Sequence, residues 1–221
     1  MFKELILGRL NQGTRQALQT LRSEVRTLRM HRRGMRKARR YRDATGLKLH
    51  FGCGANVKPG FVNIDLSNAA DLTLDLREQL PFADGSCSLV YSEHFLEHIE
   101  YPNVVRGLLR ECYRVLAVGG MFSVGVPDTE WPLLEYAGQR RDGYFELVKQ
   151  RWHPAWCTTR LEHINFHFRQ GGEHKFAYDF ETLKTALERE GFTSVRRRET
   201  NPDLDQCSWA RGTLYVEAVK S

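Results

Sequence analysis

The stretch "LHFGCGANVKPGFVNIDLS", residues 49–67, decides how this chain is read. An apolar run enters a turn with glycines at 52 and 54, and a second apolar run ends on Asp65. In an open α/β sheet, ligands bind outside the carboxyl ends of the strands. Glycines there let a ligand approach the backbone. A strand-ending carboxylate such as Asp65 can accept two hydrogen bonds from a ribose diol. Cys53, between the two glycines, reads as a small soft filler.

Working outward, short apolar runs alternate with helical patterns from Leu47 onward. The runs LKLHF, FVNID, LTLDL, CSLVYS, MFSVGVP, TSVRRRET and GTLYVEAVKS read as seven strands. Between them, "YPNVVRGLLRECYRVLAVGG" presents Val105, Leu108, Leu109, Cys112, Val115 and Leu116 on one helical face. Pro102 suits its first turn, and Gly119-Gly120 are expected to terminate it. Residues 131–151 read as one amphipathic helix and 152–178 as a long connection rich in histidine and aromatics. "DFETLKTALEREGF" is a capped helix with Asp179 or Thr182 at its start and Gly191 at its end. Strands alternating with crossover helices predict a mostly parallel sheet with helices on both faces.

At 221 residues, with 41% hydrophobic and 27% charged residues, the chain suits one globular core. No stretch approaches the roughly 20 apolar residues of a membrane span. "MFKELILGRL" is interrupted by Arg9 and lacks a small-residue cleavage site, so no secretory signal is expected. Five scattered cysteines without C-x-x-C spacing read as reduced thiols, and a cytoplasmic location follows. Charge is uneven. Residues 1–42 hold 13 Lys/Arg and two acids, whereas the rest holds 20 Lys/Arg and 25 Asp/Glu.

The ordered motifs resemble the class I S-adenosylmethionine-dependent methyltransferases, in particular their small type 11 branch, over roughly residues 46–219. "LHFGCGAN" is similar to the glycine-rich first motif and "NID" to the ribose-binding acid. "LDLREQLPFADGSCSLVYSEHFLEHI" resembles the adenine-site loop and fourth strand, and "LRECYRVLAVGGMFSVGVPD" the following helix and strand. The resemblance implies a doubly wound, mostly parallel, Rossmann-like seven-stranded sheet with an antiparallel last strand. It implies S-adenosyl-L-methionine as cofactor, with Gly52, Cys53, Gly54, Asn56 and Asp65 on its central part. Asp75 and Leu76 would flank the adenine, and Ser92, Glu93 and His94 would border the methionine end. Residues 1–45 become a basic helical arm and 46–221 the methyltransferase domain. The chain departs from the pattern at Ala55-Asn56, where a third glycine is usual, and at His50, where an acid often ends the first strand. A dinucleotide-binding reading lacks G-x-G-x-x-G, because Val57 interrupts it, and Asp65 follows the turn too soon.

An alcohol acceptor must lose a proton during methyl transfer, so a histidine or carboxylate belongs near the donor. His98, His167 and His174 are the candidate bases, the last two in a segment resembling the family's substrate-covering insertion. Aromatics such as Trp152, Trp156 and Phe166 in that segment could pack as a lid or stack on a sugar ring. His94 and His98 are read on a helix four residues apart, with Glu97 capping or pairing. His163 and His167 have metal-like spacing, yet "HINFHF" alternates like a strand, so no metal site is expected. No N/D-P-P-Y/F motif follows the fourth strand, which argues against the amino-methylating DNA, RNA and glutamine enzymes. An O-methyltransferase acting on a saccharide, glycolipid or similar polar acceptor is expected, as in bacterial polysaccharide pathways. The alternatives are a catalytically silent binding subunit and an RNA-directed enzyme recruited by the arm.

In the arm, Leu18, Leu21, Val25 and Leu28 form an apolar stripe expected to pack on the domain or a twin subunit. Gly34 and Gly46 are expected to punctuate the segment. The arginines suit an anionic membrane surface, at about 1 kcal/mol per basic residue, which would make the protein peripheral at the inner membrane face. They suit nucleic acid less, since only Tyr41 could stack on a base.

Overall fold

The computed structural model describes residues 10–221. The expected stripe over Leu18–Leu28 falls inside this range; the first nine residues of the arm lie outside it. Seven strands form one sheet in the order β3-β2-β1-β4-β5-β7-β6. They are β1 (Leu47–Phe51), β2 (Val62–Asp65), β3 (Leu72–Thr73), β4 (Cys87–Glu93), β5 (Leu116–Pro127), β6 (Phe192–Arg197) and β7 (Thr213–Lys220). The first five run parallel, whereas β7 is antiparallel to both β5 and β6. Strands covered on both faces read as nearly continuous apolar runs. Leu49, Ile64, Leu72, Val90 and Val124 accordingly lie fully buried across five neighbouring strands.

Among the described residues, six α-helices surround the sheet: α1 (Gln12–Ala38), α2 (Asn103–Val115), α3 (Glu130–Tyr136), α4 (Tyr144–Arg151), α5 (Arg160–Arg169) and α6 (Phe180–Arg189). The expected apolar face of α2 is buried through Val105, Leu108, Leu109, Cys112 and Val115. The helix stops there, not at Gly119-Gly120, because Leu116 already pairs with Cys87 of β4. Asp179 caps α6 by accepting from the Thr182 amide at 2.8 Å. Residues 131–151 are two helices, broken at Ala137–Gly143. "HINFHF" is helical, not strand-like: Thr159 and Glu162 close a reciprocal capping box that starts α5.

The arm departs most from expectation. It is one 27-residue helix running straight through Gly34. Its leucine stripe points outward, with Leu21 60% and Leu28 47% exposed. The docked face instead carries Met30, His31 and Gly34. Thr73 Oγ1 donates to the Met30 carbonyl (3.0 Å), and the Asp75 amide donates to His31 Nδ1 (3.1 Å). Gly34 permits this approach, since a Cβ there would stand 2.2 Å from the Thr73 carbonyl oxygen. The helix therefore covers β3, an edge strand that would otherwise offer unpaired backbone groups.

His50, on β1, is buried against Tyr91 with ring centroids 5.2 Å apart and bonds Asn63 Oδ1 at 3.1 Å. Burial lowers its pKa from 6.5 to about 4. Below the unfolded pKa the unfolded chain takes up a proton that the folded chain refuses until about pH 4. His50 thus costs stability progressively as pH falls through that window.

Two outcomes are expected. Gly34→Ala should strain the helix–strand contact by about 1–3 kcal/mol. Limited proteolysis should then cut α1 faster while the sheet remains protected; unchanged cutting would show that the close approach is dispensable. His50→Gln should flatten the loss of stability between pH 6.5 and pH 4 in denaturant unfolding. An identical pH slope in variant and parent would contradict the neutral, buried imidazole.

Candidate functional site

The carboxyl ends of β1 to β5 open onto two adjoining hollows. The first is a cleft of ≈ 350 Å³ between the sheet and α1. Asp65, Asp75 and Leu76 line it from the sheet side, Phe95 and Ile99 from beyond β4, and Ser23, Glu24 and Thr27 from α1. The second is a cavity of ≈ 380 Å³ beneath α4, α5 and the loop before β7. His94, Glu97, His167, His174, Trp209 and Thr213 are among its walls. His98 lines both hollows.

At the end of β1, Gly52 takes φ +63° and Gly54 φ +52°. A Cβ on Gly52 would stand 2.6 Å from that of Phe95, whereas one on Gly54 would meet nothing within 4 Å. The turn thus leaves the backbone at Gly54 open to a bound molecule. Asp65 is tied to this turn, accepting from the Gly54 amide at 3.1 Å and from the Ser67 amide at 2.6 Å. Cys53 is buried, and burial pushes its thiol up to about 11, so it is a filler and not a thiolate.

Asp75, two residues beyond β3, holds Arg77, which in turn reaches Glu24 of α1 at 2.8 Å. Burial alone would raise its carboxyl pKa; the Arg77 hydrogen bonds outweigh this and hold it below the ordinary value. Asn56 is exposed and bonds Gln206 Oε1 at 3.3 Å, away from both hollows. Ser92 is buried, and its Oγ lacks a hydrogen-bond partner among the described residues. Glu93 accepts from the Tyr215 hydroxyl (2.7 Å) and the Gln206 amide (3.1 Å), so its carboxylate fastens β7 and the loop before it.

His94 and His98 do not sit on an α-helix. His94 has φ +51°, and only Leu96–His98 forms a short 3₁₀ turn. The left-handed His94 backbone is strained for a side chain of this kind. It aims the ring at Thr213, with Nε2 2.8 Å from Thr213 Oγ1. On α5, His163 faces His153 (Nδ1 to Nδ1 2.9 Å), while His167 Nδ1 lies 3.0 Å from the Tyr144 hydroxyl. The two therefore have different neighbours. Burial lowers the His167 pKa to about 3 and lowers that of His174, so both imidazoles are neutral.

Of the residues singled out in the sequence, Asp65, Asp75, Leu76 and His98 come together in the cleft, and His94, His98, His167 and His174 in the cavity. Gly52, Cys53, Gly54, Asn56, Ser92 and Glu93 line neither. Two groups escaped the sequence reading, the α1 residues of the cleft and the Trp209–Thr213 wall, and Glu97, read there as capping or pairing, is instead buried without a hydrogen-bond partner among the described residues. The residues of the cleft suit S-adenosylmethionine. A carboxylate at Asp65 for a diol and apolar faces on Leu76, Phe95 and Ile99 match its parts, and Asp65 is hydrogen-bonded to the open backbone at Gly54.

Residues 54–124 match the family model described as a methyltransferase domain, less than half of the chain. No curated protein matches it. Among solved structures, an S-adenosylmethionine-dependent methyltransferase from Mesorhizobium loti is 21% identical, with 80% of this chain and 91% of that one covered, at TM-score 0.48. One from Archaeoglobus fulgidus is 15% identical, covering 84% and 92%, at TM-score 0.48. Phosphoethanolamine N-methyltransferase 2 of Haemonchus contortus, in complex with S-adenosyl-L-methionine, is 14% identical, covering 86% and 52%, at TM-score 0.43. This chain thus spans about half the length of the Haemonchus enzyme. The strand order is that of a Rossmann-like sheet, and the similarity of residues 54–124 to a methyltransferase domain supports S-adenosylmethionine as the cofactor.

Proposed function

We propose that the protein is an S-adenosylmethionine-dependent O-methyltransferase that methylates a hydroxyl of a saccharide, glycolipid or similar polar acceptor. The observation that carries this reading is the junction at His98, which lines both the cleft that suits the cofactor and the histidine-walled cavity. In-line transfer needs donor and acceptor held about 3–3.5 Å apart, and two adjoining hollows provide for that. The cofactor supplies an electrophilic methyl group when bound. The chain's own residues must orient the acceptor, exclude water and take its proton.

The cavity wall supports a polar acceptor with a ring to stack on. Tyr144, Trp152, Phe166 and Trp209 supply flat apolar faces; Gln170 and Arg211 supply hydrogen-bond donors. Among His98, His167 and His174, His167 presents the free acceptor nitrogen, and burial both keeps it neutral and makes it a weak base, with a pKa of about 3. Its Nε2 is buried and has no hydrogen-bond partner among the described residues, and Tyr144 orients the other ring nitrogen. His98 and His174 stand beside Glu97 at the junction.

Isothermal calorimetry with S-adenosylmethionine and its demethylated product is the first test; failure of both to bind would end this reading. Asp65→Ala should weaken cofactor binding by about 1.5–3 kcal/mol, the range for hydrogen bonds to a charged group. The variant should keep its fold, and unchanged affinity would remove Asp65 from the ribose site.

Transfer of labelled methyl to a panel of saccharide acceptors tests the acceptor class. His167→Ala should cut that turnover about 100- to 10,000-fold with cofactor affinity nearly unchanged. His174→Ala should also spare cofactor affinity, whereas His98→Ala should change both quantities, because His98 lines both hollows. Losses below about tenfold in all three, accompanied by lower melting temperatures, would mean that these histidines only pack the lid.

A further inference from the structure

We infer that Glu97, His98 and His174 form a binding site for one divalent transition-metal cation at the junction of the cleft and the cavity. Glu97 is 1% exposed, yet neither carboxylate oxygen has a hydrogen-bond partner among the described residues. A buried, unsatisfied carboxylate is costly unless something positive meets it. Its nearest cationic candidates are histidines: His98 Nε2 at 4.0 Å and His94 Nδ1 at 3.5 Å from Oε1.

The orientation of the two ligand histidines supports the assignment. His174 Nδ1 lies 2.8 Å from the His167 carbonyl, and His98 Nδ1 lies 3.3 Å from the Glu173 carbonyl. A carbonyl can only accept, so in both rings Nδ1 carries the proton and donates. That leaves each Nε2 with its lone pair free, the arrangement in which an outer-shell carbonyl fixes the tautomer of a metal-bound imidazole. One ligand atom from each of the three residues falls within a common span of 4.8 Å. Two histidines and one carboxylate leave coordination positions open, as in catalytic zinc and non-haem iron sites.

The open positions would face the cavity, because all three residues line it. A hydroxyl bound there is acidified by the cation. Its proton would pass to His167 Nε2. The inference about binding stands apart from the methyl-transfer reading, which enters only through this last step. A second cluster, His153, Cys157 and His163, is the rival site among the described residues. It carries a thiol, and its two histidines already face each other at 2.9 Å.

The test is metal binding itself, in the absence of cofactor and acceptor. The full chain is stripped with chelator and titrated with Zn²⁺ by calorimetry and with Co²⁺ by absorption. One equivalent should bind, with cobalt d–d bands and no thiolate charge-transfer band. Glu97→Gln, His98→Ala and His174→Ala should each weaken binding by about 100-fold or more, at or above the cost of losing an outer-shell partner. Cys157→Ser should leave it unchanged. Circular dichroism and melting curves identify any variant that fails to fold, and the other two then decide. Absence of binding by the folded parent would overturn the proposal. So would a thiolate band abolished by Cys157→Ser, or undiminished affinity in the folded junction variants. Because no methyl transfer is measured, an inactive protein that binds cobalt at the junction would refute the O-methyltransferase reading alone.

Discussion

The ion pair between Arg198 and Asp205 holds the ligand-binding end of the molecule together. Asp205 has no side-chain exposure and Arg198 only 8%, with guanidinium–carboxylate distances of 2.5 and 2.7 Å. The same carboxylate accepts from the Tyr91 hydroxyl of β4 and the Asn201 amide, while Arg198 Nε donates to Ser123 of β5. Removing one partner of such a pair costs about 3–5 kcal/mol, because the other charge stays buried. The pair fastens the 198–206 segment across two central strands. From that anchor the loop runs on to Trp209, Arg211 and Thr213, which wall the cavity. Without it the cavity has no roof on that side.

Two carboxylates four residues apart show how environment sorts identical chemistry. Glu93 and Glu97 are both buried. The first is fully engaged with Tyr215 and Gln206, so its charge is spent on fastening β7 to β4. The second keeps both oxygens free of hydrogen bonds and sits among histidines. Buried polar groups are nearly always satisfied, so the exception is where chemistry is to be sought.

The central strands were legible in the sequence because parallel strands buried on both faces read as short apolar runs, here bounded by glycine turns. "LKLHF" maps directly onto Leu47–Phe51, and the glycine turn follows where expected. Asp65 could be placed for the same reason, since it ends β2 in fixed register with β3, and Asp75 follows two residues after β3. Histidines 163 and 167 were misread because alternation over six residues outweighed the Thr159–Glu162 capping box, a local signal that was present. The docked face of α1 was invisible to hydrophobic periodicity. It works through a glycine, a histidine and backbone carbonyls, while the leucines that periodicity selects face outward. Glu97 was read as capping or pairing because nothing in "SEHFLEHI" reveals that its carboxylate is buried without a hydrogen-bond partner among the described residues.

Charge composition draws a boundary near residue 45, and the geometry does not respect it. Ser23, Glu24 and Thr27 form the outer wall of the cleft that Asp65 and Asp75 enter from the other side. A shortened protein beginning at the composition boundary would keep every strand and lose one side of its ligand site. It would also bare β3, inviting strand-to-strand association between copies. Weak ligand retention or aggregation in such a truncation therefore reports a missing wall and an uncovered edge, and says nothing about whether arginines in the arm meet a membrane or a nucleic acid.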